Sequence, residues 1–284
     1  MAQLSIPLPP DIGEVVALAL NEDQGDGDLT AKLIDANATT TAQVTVHDVV
    51  TLSGCAWFDE VFRQLDDRVA VQWNFSDGME LTPAQPVCDI TGPSRPILTG
   101  ERTALNFLQT LSGTATAVRE HVLAVAATQA RILDTRKTIP CLRRAQKYAV
   151  LCGGGENHRM GLYDGVLIKE NHIVAAGGIL AAAGAARERE PATPIEIEVE
   201  TLDQLREALT ADVDRILLDN FSLTSLSAAV AVRDAHDGPR KQLEASGGIG
   251  LENLRAIAAT GVDFISVGAL TKHVRAVDFS MRFL

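Results

Sequence analysis

From residue 131 onward the chain repeats one unit six times: a short apolar run, then a segment long enough for one helix. The runs are RILDTRK, DGVLIKEN, IEIEVE, RILLDN, QLEASGG and FISVGA, centred near positions 133, 167, 197, 217, 244 and 266. Buried strands separated by helical crossovers pair in parallel, with both faces covered. Polarity returns where each run ends. Thr135, Arg136 and Lys137 follow the first and Lys169 and Asn171 the second, while Asp219 and Asn220, Ser246-Gly247-Gly248, and Gly268 close three later ones. In a parallel α/β barrel this is the reactive end, because the βα loops open there. Six or seven strands fall short of the usual eight. The expected fold is therefore α/β, an incomplete parallel α/β barrel; a flat doubly wound sheet is the alternative.

The first third of the chain has a different texture. Residues 11–22 carry apolar spacing at helical period. Two β-rich segments, AQVTVHDVV and RVAVQWNF, flank the helical GCAWFDEVFRQL, and DGMELTPAQPVCDITGP adds short strands punctuated by Gly and Pro. A long helix is expected from Thr99 to about Ala127, with Thr99 as N-cap and Glu101 and Arg102 in its first turn. The division expected is a smaller N-terminal α+β domain over residues 1–110 and the barrel over 111–274, with residues about 275–284 able to pack on the first domain.

The charge balance narrows the ligand. The chain carries 25 Lys+Arg against 37 Asp+Glu, a formal net charge of -12. Yet residues 132–173 gather Arg136, Lys137, Arg143, Arg144, Lys147, Arg159 and Lys169, with His158 and His172 beside them. An acidic protein that concentrates cations in one segment builds a pocket for a small anion, whereas a nucleic-acid binder spreads basic charge over a long surface. No apolar run approaches the roughly 20 residues that span a bilayer. The N-terminus has neither a basic start nor an apolar stretch, so no signal peptide is expected. Cys55, Cys88, Cys141 and Cys152 lack CxxC spacing, which fits reduced thiols in a cytoplasm better than disulfides or zinc.

Each candidate has a definite chemistry beside a bland reading. Thr135-Arg136-Lys137 offers a hydroxyl, a bidentate fork and a point charge in succession; otherwise it is a solvated helix entry. Gly153-Gly154-Gly155 leads directly into His158 and Arg159, and matches neither GxGxxG nor GxxxxGK[ST], which argues against Rossmann and Walker phosphate sites. Lys169 follows an apolar run and is either an anion ligand or a Schiff-base former; His172 beside it reads as structural. Glu196, Glu198 and Glu200 alternate with apolar residues and so share a strand face. An inward row of carboxylates needs cations, from Lys and Arg or from a divalent metal, and some of the row can be ordinary salt-bridge residues. Ser246-Gly247-Gly248 and Val267-Gly268-Ala269 can present backbone N–H groups to phosphate, on the last two strands where barrels often place that site.

At this point the sequence resembles the quinolinate phosphoribosyltransferase family over nearly its whole length. The resemblance is carried by NEDQGDGDLTAKLI, GERTALNFLQTLSG, residues 133–173, IEIEVET, ILLDNF, EASGGI and GVDFISVGALTKH. It implies transfer of phosphoribosyl from phosphoribosyl pyrophosphate to quinolinate with Mg²⁺, giving nicotinate mononucleotide, CO₂ and pyrophosphate in NAD biosynthesis. It also implies a cytoplasmic homodimer whose active sites are shared between subunits. By resemblance, Arg136, Lys137, His158, Arg159 and Lys169 hold the dicarboxylate with Thr135, and Arg102 reaches in from the neighbouring subunit. Lys169, Glu198 and Asp219 are implied to be catalytic, with Glu198 and Asp219 holding the ribose hydroxyls and the metal, directly or through water or substrate. Ser246, Gly247, Gly248, Val267, Gly268 and Ala269 cradle phosphate. Cys141, where the family more often has glycine, is a departure that touches no implied ligand. Three rivals stand beside this reading: a paralogue associated with molybdenum transport, a Schiff-base lyase using Lys169, and a dicarboxylate sensor.

Overall fold

The computed structural model describes residues 6–284, so the first five residues of the segment read for a signal peptide lie outside the described residues. In chain order the elements are α1 (Ile12–Gln24), β1 (Thr39–Val46), β2 (Val50–Thr51), α2 (Cys55–Leu65), β3 (Ala70–Trp73), β4 (Glu80–Leu81), β5 (Pro86–Pro93) and α3 (Ser94–Val125). Then follow β6 (Arg131–Leu133), α4 (Arg143–Cys152), β7 (Val166–Ile168), α5 (Glu170–Ala176), α6 (Ile179–Arg189), β8 (Ile195–Val199) and α7 (Leu202–Thr210). The last are β9 (Arg215–Asp219), α8 (Leu223–Asp234), β10 (Gln242–Ser246), α9 (Leu251–Ala258), β11 (Phe264–Ser266), α10 (Ala269–Lys272) and β12 (Phe279–Phe283).

Contacts divide the chain into two units. One holds the described residues up to Arg119 together with Thr138–Gly154 and Leu270–Leu284; the other holds Glu120–Lys137 and Gly155–Ala269. The division expected from sequence, near residue 110, falls inside α3, and Thr138–Gly154 clusters with the first unit. That grouping follows from packing: Ala145, Tyr148, Ala149 and Cys152 of α4 bury their side chains in the first unit's core.

In the first unit, an antiparallel sheet runs in the order β12-β1-β5-β3. Ala42, Val44 and Val46 alternate on its buried face, as a half-buried strand requires. Trp57, Phe58, Val61 and Phe62 of α2 fall on one stripe and are 0–1% exposed, so their burial drives this core. The C-terminal strand β12, which the sequence reading did not foresee as a strand, pairs with β1 from Ala42↔Phe283 to Val46↔Phe279. The long helix also begins earlier than expected. Thr99 is an interior residue of α3 rather than its N-cap, and its Oγ1 donates to Asp28 Oδ2 at 2.8 Å.

In the second unit, six parallel strands take the order β6-β11-β10-β9-β8-β7. Strands β7 to β11 lie side by side in chain order, and β6 closes against the last of them. A doubly wound sheet would reverse direction at a switch point; this one winds a single way round. The seam lies between β6 and β7, which follow each other in sequence but occupy opposite edges. This is the incomplete barrel. Part of the seam beside β6 is taken by the segment after the glycines: Glu156 N–H donates to the Ile132 carbonyl (2.8 Å) and Asp134 N–H to the Glu156 carbonyl (3.2 Å).

Candidate active site

The strand register puts one row of side chains inside the barrel. Glu196 lies level with Arg215, Glu198 and Glu244 with Leu217, and Ser246 with Asp219. Inward rows in such barrels are usually branched apolar residues. Here they are largely ionic, as the alternation of Glu196 and Glu198 indicates, and Arg215 and Glu244 join the row. Arg215 donates from Nη1 to Glu244 Oε2 at 2.9 Å. The same guanidinium and that of Arg131 both lie over the Phe264 ring, at 3.9 and 4.1 Å from its centroid.

At the C-terminal ends of the strands the expected residues gather on the second unit. Lys169 Nζ reaches Glu198 Oε2 at 2.6 Å, joining the ends of β7 and β8. Asp219 accepts from Asn220 Nδ2 at 2.7 Å, and Asn220 N–H donates to the Ser246 carbonyl at 2.9 Å. Gly247 has φ +101 and sits against the Asn220 side chain, where a Cβ would collide with Oδ1. A side chain there would be strained by the backbone angle and would have to displace Asn220. A Cβ on Gly268 would lie 2.9 Å from Lys137 Cδ and 3.5 Å from Thr135 Oγ1, so this glycine lets the ends of β6 and β11 meet. Val267 donates its N–H to the Leu133 carbonyl at 3.0 Å. Ala269 opens the short helix α10.

His158 and Arg159 sit in the segment that follows the seam. Arg159 Nη1 donates to the Gly165 carbonyl at 3.0 Å, while its buried Nε has no hydrogen-bond partner among the described residues. Burial, and then the neighbouring charge of Arg136, push the Arg159 guanidinium below its ordinary value. Two guanidiniums held in mutual repulsion are stabilised when an anion arrives between them. His158 is engaged at both ring nitrogens: Nδ1 accepts the Arg159 N–H at 2.8 Å, and Nε2 lies 2.7 Å from Glu196 Oε2. The glycines ahead of this pair serve packing. A Cβ at Gly153 would lie 2.5 Å from the Ala115 carbonyl oxygen, and Gly154 has φ +87.

Other expected residues are carried by other elements. Glu200 lies beyond the end of β8 and is exposed, so the inward row has two glutamates from that strand, not three. Arg143, Arg144 and Lys147 are on α4 of the first unit, where Arg144 faces Asp11 at 3.7 Å. Arg102, also in the first unit, exposes 59% of its side chain and has Glu101 as ion-pair partner at 3.9 Å. His172 is structural, since its Nδ1 accepts the Lys169 N–H at 3.0 Å. A cavity of about 860 Å³ opens among the first residues of the strands, lined by Val166, Ile195, Arg215 and Gln242 among others. Of the expected residues, His158, Arg159 and Glu196 reach it.

Glu244 is fully buried, and burial first, then the charge of Glu196, push its carboxyl up to about 7. The folded state thus binds this proton more tightly than the unfolded chain does. Its contribution to stability is most favourable below the unfolded value near 4.5 and declines as pH rises to about 7. Glu244→Gln removes that decline. Melting temperatures of the variant and the parent, compared between about pH 5 and pH 8, are expected to shift in the variant's favour with rising pH. Parallel profiles would show that Glu244 does not titrate in that window.

A singly wound open barrel with paired glycine loops and a cluster of Arg and Lys at its strand ends defines an α/β enzyme for phosphorylated, anionic substrates. Family models for quinolinate phosphoribosyl transferase match the chain in two parts, the N-terminal domain over residues 28–112 and the C-terminal domain over 114–282. The chain belongs to the quinolinate phosphoribosyltransferase family. It is 42% identical over 261 residues to a probable nicotinate-nucleotide pyrophosphorylase [carboxylating] of Bacillus subtilis, covering 92% of this chain and 89% of that one. It is 41% identical to the nicotinate-nucleotide pyrophosphorylase [carboxylating] of Mycobacterium leprae, covering 94% and 95%. The solved nicotinate-nucleotide pyrophosphorylase of Francisella tularensis superposes with a TM-score of 0.93 at 42% identity, covering all of both chains.

Proposed function

We propose that this chain transfers phosphoribosyl from phosphoribosyl pyrophosphate to quinolinate with decarboxylation, giving nicotinate mononucleotide, CO₂ and pyrophosphate for NAD biosynthesis. The observation that carries the reading is Arg159, whose guanidinium keeps a buried Nε without a partner among the described residues and feels the neighbouring charge of Arg136. A planar dicarboxylate matches the fork geometry of two guanidiniums. The pyridine nitrogen attacks the anomeric carbon as the C–O bond to pyrophosphate breaks. Positive charge grows on the ribose, and Glu198 and Asp219, at adjacent strand ends, stabilise it. With the ring nitrogen quaternised, the ring accepts the electron pair of the adjacent C–COO bond. CO₂ leaves and water supplies the proton. The protein needs to hold the dianion in register, and no general base is assigned. Lys169, already paired with Glu198, acts as a cationic ligand, whereas a Schiff-base former needs an unprotonated amine.

The carboxylate oxygens of Glu198 and Asp219 form a hard donor set that suits Mg²⁺, which when bound supplies Lewis-acid stabilisation of the departing pyrophosphate. The working form is a homodimer in which Arg102 serves the neighbouring subunit's site; its exposed side chain supports that role. Four free cysteines support a cytoplasmic setting, and no helix among the described residues is long and apolar enough to cross a membrane. Nicotinate mononucleotide formation from the two substrates is the direct test, and its absence would remove the reading. Asp219→Asn sharpens it: quinolinate binding by calorimetry is expected to survive while Mg²⁺-dependent transfer falls. An equal loss of quinolinate affinity would place Asp219 in the dicarboxylate pocket instead.

A further inference from the structure

Two glutamates of the barrel interior have no part in the mechanism above. Glu196 is 7% exposed and Glu244 0%, and the two carboxyls interact with each other in the barrel interior. Burying two carboxyls side by side is costly, so their retention calls for a reason. Their neighbours show one. His158 Nδ1 accepts the Arg159 N–H, so in the neutral ring the proton is on Nε2, which donates to Glu196 Oε2 at 2.7 Å and lies 3.8 Å from Glu244 Oε1. The His158 N–H donates to Asp134 Oδ1 at 2.9 Å, and Asp134 is wholly buried. The backbone on both sides of His158 is therefore tied to the barrel wall, one tie through Asp134 and the other through the imidazole and Glu196. Arg159 is the next residue.

We propose that Glu196, backed by Glu244, is a positioning residue for the dicarboxylate pocket: it fixes His158 as the Nε2–H tautomer, and that ring holds the Arg159 backbone so that its guanidinium faces the substrate. Glu196 touches no reacting atom. Its effect reaches the substrate through His158 and Arg159, so it appears in dicarboxylate affinity and not in the handling of the sugar phosphate. With the wrong tautomer, Nδ1–H would face the Arg159 N–H, donor against donor, and the guanidinium would lose its anchor at the backbone end.

The inference rests on the proposed reaction only for its kinetic arm. In histidine-labelled protein, the ¹⁵N shifts of His158 report the tautomer directly, whatever the substrate proves to be. The unsubstituted protein is expected to show the Nε2–H pattern, Glu196→Gln to keep it through its amide oxygen, and Glu196→Ala to lose it. Titration with pyridine-2,3-dicarboxylate is expected to weaken by about tenfold or more in Glu196→Ala, the scale of one hydrogen bond to a charged group. Glu196→Gln should restore most of that affinity, with the KM for phosphoribosyl pyrophosphate unchanged throughout. Should Glu196→Ala fail to fold, His158→Asn substitutes for it. Its Oδ1 can still accept the Arg159 N–H but the side chain is too short to reach Glu196, so the same loss is expected. An Nε2–H signal that persists in Glu196→Ala, or parental dicarboxylate affinity in whichever variant folds, would overturn the proposal. If the unsubstituted protein does not bind the dicarboxylate, the proposed function fails and the tautomer arm alone decides the role of Glu196.

Discussion

Arg159→Ala is expected to weaken quinolinate binding by about 2–5 kcal/mol, the cost of truncating one partner of a buried charge pair. The size follows from how the side chain is held. Its backbone is tied through His158, one guanidinium nitrogen is spent on the Gly165 carbonyl, and the buried Nε remains unpartnered. Little ordering is left to do when the carboxylate arrives, so most of the interaction appears as affinity. Arg136→Ala should lose a comparable amount, because its guanidinium offers the dicarboxylate a second bidentate fork. Calorimetric titration of each folded variant measures this. Parental affinity in both would mean that the dicarboxylate binds elsewhere.

The second large effect concerns assembly. Arg102→Ala and Lys169→Ala are each expected to be inactive alone, and mixing them is expected to restore activity. Arg102 belongs to the first unit and Lys169 to the second. If Arg102 acts across the dimer, a heterodimer carries one site with both residues intact and one with neither. Random assortment makes half of the molecules heterodimers, so about a quarter of the sites should return. Mass spectrometry establishes whether mixed dimers form. No recovery in their presence would place Arg102 in its own subunit's site or outside the site altogether.

The sequence legibly carried the element types and the end at which chemistry gathers. Each of the six strands is short and apolar, and Lys169, Asp219 and the Ser246-Gly247-Gly248 turn sit where the apolar run stops. These are local signals, since a strand's hydrophobic period and its terminating polar residue lie within one short window. The position of α3 was less legible. Thr99 looks like an N-cap because a threonine before a charged turn usually is one, yet Ser94 to Leu98 are also helical and the hydroxyl bonds Asp28, 71 residues away. A partner that distant leaves no trace beside Thr99 itself.

What the sequence determined by itself was an alternating α/β chain with cations and glycines at the strand ends; what the tertiary structure decided was which of these ends meet. Strand β6 closes against β11, the last barrel strand to be made, and only that pairing brings Lys137 and Thr135 beside Gly268. The seam then falls between β6 and β7, and the segment carrying His158 follows it with both ring nitrogens engaged. Glu244 reads in the sequence as one acid within a strand. Its meaning comes from Glu196 and Arg215, contributed by β8 and β9. Pairings of this kind join residues tens of positions apart. Their energy depends on register and burial across the whole sheet, and neither is present in any one stretch of the chain.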